Sequence, residues 1–469
     1  MSTETEGAWP DGSCVPSLTG GLPVLGHAIA FGRNPVNFLA RARAEFGDVF
    51  RFRLFRKQVY ALLSPTAIQA FFRAPDDQLG QRDVYRFTIP VFGRGVLYDV
   101  TPDLMAEQMK LVRPALRDEA MRSYPALMQR EVERFADQLG DAGEFDLFAR
   151  MNELTLMITG ACLIGPEFRA GLSTEFASLY HDLEGGFNLI AFAAPNAPTP
   201  ANRRRDRARK RLGDLIGSLI AQRRARNRHD LREPTPDFLT VLMQARYQNG
   251  EGLSDEAIIS MIVALLFAGQ HSTAVMATWL GLLLMRHPDM RDRVREEARS
   301  ATGGGSVTFS AMKNLALMNA VLMETERLFP PLIVLTRLVH RELPVAGVRI
   351  PAGSLVMVSP AVSHRSPEVF DMPDAFDPLR FLPPREEGRD VPFALFGFGG
   401  GKHRCLGMAF AHLHIKMIWT LLLRRFDFAL AQPDCWPAPD YSSWLAGPSS
   451  PRLVRYRRRG QHDEAFAAA

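Results

Sequence analysis

Only four cysteines stand in 469 residues, at positions 14, 162, 405 and 435, and no two share a C-x-x-C spacing. That argues against a zinc ribbon or a disulfide scaffold, and a reducing, cytoplasmic setting is expected. The opening MSTETEGAWPDGSCV lacks a basic start followed by an apolar run, so neither a signal peptide nor an N-terminal anchor is expected. An excess of either charge is small too: the net value is +5, arising mostly from arginine gathered in runs such as Arg203 to Arg211, Arg223 to Arg228 and Arg455 to Arg459. Without interleaved aromatics or a nucleic-acid motif, these runs read as solvated helix faces, and no nucleic-acid partner is expected. Internal repeats and clear linkers are absent, which points to one domain over 1–469 with flexible ends at 1–20 and 460–469. A hydrophobic content of 46% with 23% charged residues fits a globular chain.

What is present is mostly helical spacing. A Gly- and Pro-rich start leads to a helix over Pro35 to Phe46 and a hairpin of VFRFRLF with QVYALLS. Helix follows from Thr101 to about Leu183, broken at Gly140 to Gly143 and at Gly165-Pro166. The three prolines of Ala191 to Asn202 predict a loop. A basic helix to about His229 and a short helix from Thr235 come next, and Ser254 caps a long helix to about Arg286, ~50 Å at 1.5 Å per residue. Its apolar run, Met261 to Met285, is long enough for a bilayer, but Gln270, His271, Ser272 and Thr273 interrupt it, so a buried helix lining a cavity fits better and no transmembrane anchor is expected. A helix over Ser310 to Phe329 stops at Pro330-Pro331, a small sheet is expected within Arg337 to Pro360, Ser366 to Ala394 is irregular, and Met408 to Arg425 is helix.

The segment Phe398-Gly399-Gly400-Gly401-Lys402-His403-Arg404-Cys405-Leu406-Gly407 has several readings. A phosphate loop fails because His403, not Ser or Thr, follows Gly-Lys. Zinc fails for want of a second ligand pair. A lone cysteine is ordinarily a buried structural thiol, but the glycines let the backbone pass close to a flat cofactor and aim amides at the sulfur. The helix after it presents its positive end to a thiolate. Glu324 and Arg327, three apart, share one helix face and can form an ion pair, which by itself would read as solvent-exposed. Gly269 weakens the long helix and permits a local opening where a carbonyl and hydroxyls bind water. Such a polar patch could instead merely satisfy itself.

Together these motifs resemble the cytochrome P-450 family. Its ligand loop F-x-x-G-x-x-x-C-x-G is met by Phe398, Gly401, Cys405 and Gly407, and its E-x-x-R by Glu324 and Arg327. Arg380, in Pro378-Leu379-Arg380-Phe381, matches the arginine completing that network, and Ala268-Gly269-Gln270-His271-Ser272-Thr273 matches the oxygen-activating segment. His271, where most such chains carry an acid, resembles the sterol 14-alpha-demethylases. So do Tyr85 to Asp99, Ala161 to Gly165, Pro330 to Arg337 and Val454 to Arg459, and the resemblance covers nearly the whole chain.

The resemblance implies a mainly α fold with small β-sheets, a single cytochrome P-450 domain, and haem b (iron protoporphyrin IX) held between a long central helix and the cysteine loop. Cys405 would be the metal ligand, with Tyr85, Arg337 and His403 on the haem propionates. A lysine expected after Asp99 is Met109 here, and Lys110 or Arg113 would substitute. Gly269, His271, Ser272 and Thr273 would relay protons for dioxygen activation, His271 because imidazole exchanges protons near neutral pH. Phe87, Phe92, Ala264, Phe267, Ala268, Leu332, Val334 and Leu335 would line the substrate cavity, with Trp444 and Leu445 closing it. The implied activity is a monooxygenase of the sterol 14-alpha-demethylase type, removing a methyl group as formate after three oxidations. Its partners would be a large apolar sterol or terpenoid, dioxygen and a ferredoxin or similar donor docking near Lys402 and Arg404, the chain itself being a monomer. The alternatives are a related monooxygenase acting on another natural product and a non-catalytic haem- or sterol-binding protein.

Overall fold

The computed structural model describes residues 15–171, 174–187, 194–226, 237–441 and 445–460. The chain divides into two compact units, one from Met1–Tyr85, Met323–Cys405 and Pro439–Gly447, the other from Arg86–Leu322, Leu406–Ala438 and Pro448–Ala469. The architecture is mainly α with small sheets, as expected.

The first unit is built on a five-stranded sheet in the order Val49–Leu54, Lys57–Leu62, Leu355–Val358, Leu335–Val339, Leu79–Gly80. The predicted hairpin forms its edge, with Val49 opposite Leu62 and Leu54 opposite Lys57. The alternating apolar residues of these strands explain the burial: Leu62, Val356 and Val358 are shut from solvent beside Phe71 of the helix Pro65–Arg73, while Phe50 and Val59 pack with Leu39 in a second cluster. Part of the segment expected to be flexible is tied down: Arg51 N–H donates to Pro16 O and Leu18 N–H to Arg51 O. The remainder of the expected flexible ends, 1–14 and 461–469, lies outside the described residues.

The second unit is organised around the helix Asp255–Arg286, 32 residues capped by Ser254, whose hydroxyl accepts from Ala257 N at 3.2 Å. The helices Leu147–Leu163, Pro200–Arg226 and Met408–Arg425 pack on it. At Gly281 the crossing with Met408–Arg425 is so close that a Cβ would sit 2.0 Å from the Trp419 ring. Asp255–Arg286 is long and apolar enough to cross a membrane, but most of that apolar stretch is buried inside the protein. A three-stranded sheet, Ala142–Asp146, Leu453–Arg458 and Phe426–Leu430 with Leu453–Arg458 central, completes the unit.

Several boundaries differ from the sequence reading. Pro200 begins a helix because proline suits its first position and Thr199 Oγ1 accepts from Asn202 N at 3.1 Å. The short helix is Phe238–Gln244, capped by Asp237. The helix expected over 310–329 is two, Phe309–Lys313 and Ala316–Leu328. The arginine runs are not uniformly solvated: Arg205 is 1% exposed, and Arg223, 9% exposed, pairs with Asp237 at 2.6 Å and Glu167 at 2.8 Å. Arg455 and Arg458 lie on a strand, paired with Glu144 and Asp141.

Candidate active site

In the first unit the ligand loop is a chain of backbone and carboxylate bonds. Phe396 N–H donates to His364 Nε2 at 2.9 Å, Gly397 N–H to Glu326 Oε1 at 3.0 Å, and Cys405 N–H to Phe398 O at 2.9 Å. Gly401 is required as glycine: its φ is +61° and a Cβ would lie 2.2 Å from Phe72 O. The loop leaves Cys405 exposed, whereas Cys162 is buried and its thiol is pushed well up by desolvation, an inert group by comparison.

Beneath the loop, Glu324, Arg327 and Arg380 have no exposure at all. Arg327 donates to Glu324 from Nε at 2.7 Å and from Nη2 at 2.8 Å, and Arg380 Nε donates to Glu324 Oε1 at 3.2 Å. The remaining guanidinium donors go to the carbonyls of His364, Asp371, Met372, Pro373 and Ala375, and to Glu387. The pair that would alone have read as solvent-exposed is thus a fully desolvated, fully bonded network, a geometry in which removing one partner is far costlier than the pair's net worth.

Tyr85 and Arg337 lie near one another. Thr336 N–H donates to Tyr85 Oη at 3.4 Å, and burial pushes the Tyr85 phenol up, opposed by that amide and by Arg337. Arg337 is 4% exposed, donates to Phe71 O at 2.8 Å and lies 4.4 Å over the Phe71 ring. His403 is held differently: one ring nitrogen lies 2.5 Å from Asp76 Oδ1 and the other 3.0 Å from Gln81 Nε2. Burial pushes its imidazole down, so the neutral ring donates to Asp76 and accepts from Gln81, and a propionate contact would require it to release one of them. Leu332, Val334, Leu335 and Leu445 are half-exposed apolar positions, and Ala446 N–H donates to Pro331 O at 2.8 Å beside them. Trp444 lies outside the described residues.

In the second unit the long helix runs unbroken through Gly269, so the opening expected there is not formed. Ser272 Oγ donates to Ala268 O at 2.9 Å and Thr273 Oγ1 to Gly269 O at 2.6 Å. Thr273 is buried, whereas Leu265, Ala268, Gly269 and Ser272 are not. Those four positions recur at three and four residues and make one open face, small-sided at Ala268, Gly269 and Ser272, on a helix that is mostly buried. His271 Nδ1 meets Glu184 Oε1 of the helix Thr174–Glu184. Phe92 and Phe267 have ring centroids 5.9 Å apart and both approach Phe187, at 6.1 and 4.7 Å; Phe87 joins at 6.1 Å, while Ala264 is buried. Lys110 is exposed on the helix Pro102–Val112, and Gly407 caps Met408–Arg425 without a side-chain bond.

The sequence reading missed Glu326, His364, Asp76, Gln81, Glu184, Tyr180 and Phe187. Only Glu326 had a signal, as a third charge within Glu324-Thr325-Glu326-Arg327 in a helix with a buried face. Burial pushes its carboxyl up to about 7, against the Gly397 amide, Arg404 and the Phe398 amide, which favour the anion.

The donor set fits a haem. Within the first unit it offers one exposed sulfur on a glycine-bound loop and a buried Arg337 with Tyr85. Among the described residues no group of three or more His, Cys, Asp or Glu could hold a bare metal ion instead. The chain belongs to the cytochrome P450 family, whose model matches residues 16–454. It is accordingly a haem-thiolate monooxygenase of sterol-demethylase-like type with haem b as cofactor. A sterol 14alpha-demethylase of Mycobacterium bovis is 39% identical over 95% of this chain and 98% of its own length. A sterol 14-demethylase of Arabidopsis thaliana is 33% identical over 95% and 91%, and a lanosterol 14-alpha demethylase of Rattus norvegicus 34% identical over 95% and 88%. A solved structure of retinoic acid bound cyanobacterial CYP120A1 superposes with a TM-score of 0.84 at 26% identity, covering 95% of this chain and 99% of that one.

Proposed function

We propose that the chain is a sterol 14-alpha-demethylase, the two units acting as one haem domain with Cys405 as the thiolate ligand. When bound, the haem supplies reductive activation of dioxygen. The observation that carries the reading is the exposed Cys405 thiol on a loop fixed from below by a wholly buried Glu324–Arg327–Arg380 network, in a chain 39% identical to a sterol demethylase. Arg337 and Tyr85 bind a propionate, and Phe398, Gly401 and Gly407 shape the loop against the ring. His403 or Lys110 supplies a further donor, His403 after exchanging Gln81.

Glu184 Oε1 and His271 Nδ1 lie against each other, and with Ser272 Oγ on the open side of the same helix turn they form the path along which protons reach the site. Thr273 steadies the Gly269 carbonyl from the buried side. Phe87, Phe92, Ala264, Phe267 and Ala268, with Leu332, Val334, Leu335, Trp444 and Leu445, exclude water and orient a large apolar substrate.

The test is the spectrum of the reduced carbon monoxide complex followed by incubation with a 14-alpha-methyl sterol and a redox chain. A red-shifted thiolate band and demethylated sterol with formate are expected. Absence of the band, or its survival in Cys405→Ala, overturns the ligand assignment. The match to a retinoic-acid-bound relative favours a second reading, oxidation of another terpenoid, which a thiolate band without demethylated sterol would select. Electrons come from a separate ferredoxin-like carrier docking on Lys402 and Arg404, the chain being a cytoplasmic monomer. Reduction should slow several-fold between low and 0.5 M salt, because exposed charge pairs are screened, and a salt-independent rate counts against this docking.

A further inference from the structure

Three consecutive carbonyls of the long helix, those of Phe267, Ala268 and Gly269, each accept a side-chain hydroxyl. Two of these hydroxyls are the helix's own, Ser272 Oγ at 2.9 Å and Thr273 Oγ1 at 2.6 Å, each bonding back one turn. Back-bonding of this kind weakens and bends a helix. The third comes from another element: Tyr180, on the helix Thr174–Glu184, donates its phenol to Phe267 O at 3.2 Å.

The Tyr180 oxygen also lies against the backbone N–H of His271. Phe267 C=O and His271 N–H stand four residues apart and are the acceptor and donor that close one rung of an α-helix. A single hydroxyl therefore engages both groups of the same rung, the arrangement by which an inserted side chain loosens a helical ladder. The hydroxyl is held there firmly. Tyr180 is 5% exposed, and its ring stacks on Phe267 with centroids 5.5 Å apart and planes 20° from parallel. One turn further along the same helix, Glu184 meets the His271 side chain. The helix Thr174–Glu184 thus touches both the backbone and the imidazole of one residue.

We infer that Tyr180 is a positioning residue whose hydroxyl competes for the two groups of the Phe267–His271 rung and so weakens it, so that the turn bearing Gly269, His271 and Ser272 opens readily to admit water and deliver protons. The inference rests on the reading of that turn as a proton relay. It also accounts for an unbroken helix at Gly269: the turn is primed to open rather than already open.

The test is Tyr180→Phe in the haem-loaded full chain, a change that keeps the ring and its stacking on Phe267. Haem content and the carbon monoxide band should match the parent. Amide exchange at His271 should slow by about tenfold, because its N–H then closes the rung with Phe267 C=O. The share of consumed electrons recovered in oxidised product should fall several-fold, the rest appearing as peroxide or water. Unchanged or faster exchange at His271 in the variant overturns the inference, as does unchanged coupling. A parent protein lacking the thiolate band would instead sink the proposed function, and it leaves the exchange comparison readable.

Discussion

Glu326 is a carboxylate facing two backbone amides of the cysteine loop with almost no access to water. Leucine there would fill similar space but leave the Gly397 N–H without its acceptor, a loss of about 1–3 kcal/mol for a buried donor. Glu326→Leu is therefore expected to lower the thermal midpoint and the haem-to-protein absorbance ratio, while Glu326→Gln, which keeps an acceptor oxygen, should restore most of both. Equal haem retention in the two variants would refute the assignment. Cys405, Glu324 and Arg327 were legible as residues because their spacing in the chain is the motif. Glu326 was not given a role, because its partner lies 71 positions away and no local pattern announces it.

At the scale of elements, periodicity located the long helix, its Ser254 cap and the edge hairpin, since apolar spacing and capping are local properties. It misplaced the starts at Pro200 and Phe238 and merged Phe309–Lys313 with Ala316–Leu328, where caps rather than apolar spacing set the ends. The burial of the helix Ala316–Leu328 against Arg380 decides what Glu324 and Arg327 are worth. Arg327→Ala would leave Glu324 fully buried with Arg380 at 3.2 Å as its charged partner and the Asp377 amide at 2.8 Å. A destabilisation of about 3–5 kcal/mol follows for breaking such a pair. Calorimetry should show it as a lowered melt, with haem content falling in parallel; a variant with full haem and reduced turnover alone would contradict a supporting role.

Over the whole molecule, buried titratable groups set the response to acid. His364 and His414 are shut from solvent and burial pushes both imidazoles down to about 3, His364 with added repulsion from Arg327. Each binds a proton only on unfolding at pH values below 6.5, so each contributes stability that is present above that pH and lost as pH falls. Glu326, raised to about 7 from 4.5, works the other way: folded, it holds a proton the unfolded chain releases between those values. Between pH 6.5 and 5 these two histidines outweigh the carboxyl, so stability should fall on acidification, on the order of 1 kcal/mol per pH unit. Denaturant titrations across that range measure it, and His414→Phe should flatten the slope. The sequence by itself determined the haem-thiolate class and the mainly α architecture, because a ligand loop, an ion-pair motif and helical periodicity are written in consecutive residues. Only the tertiary structure decided that Glu324 is desolvated, that His403 is shared between Asp76 and Gln81, and that Tyr180 reaches the Phe267–His271 rung. Each of those depends on which distant segments meet, and burial, which sets the strength of every charge and hydrogen bond among them, exists only once they do.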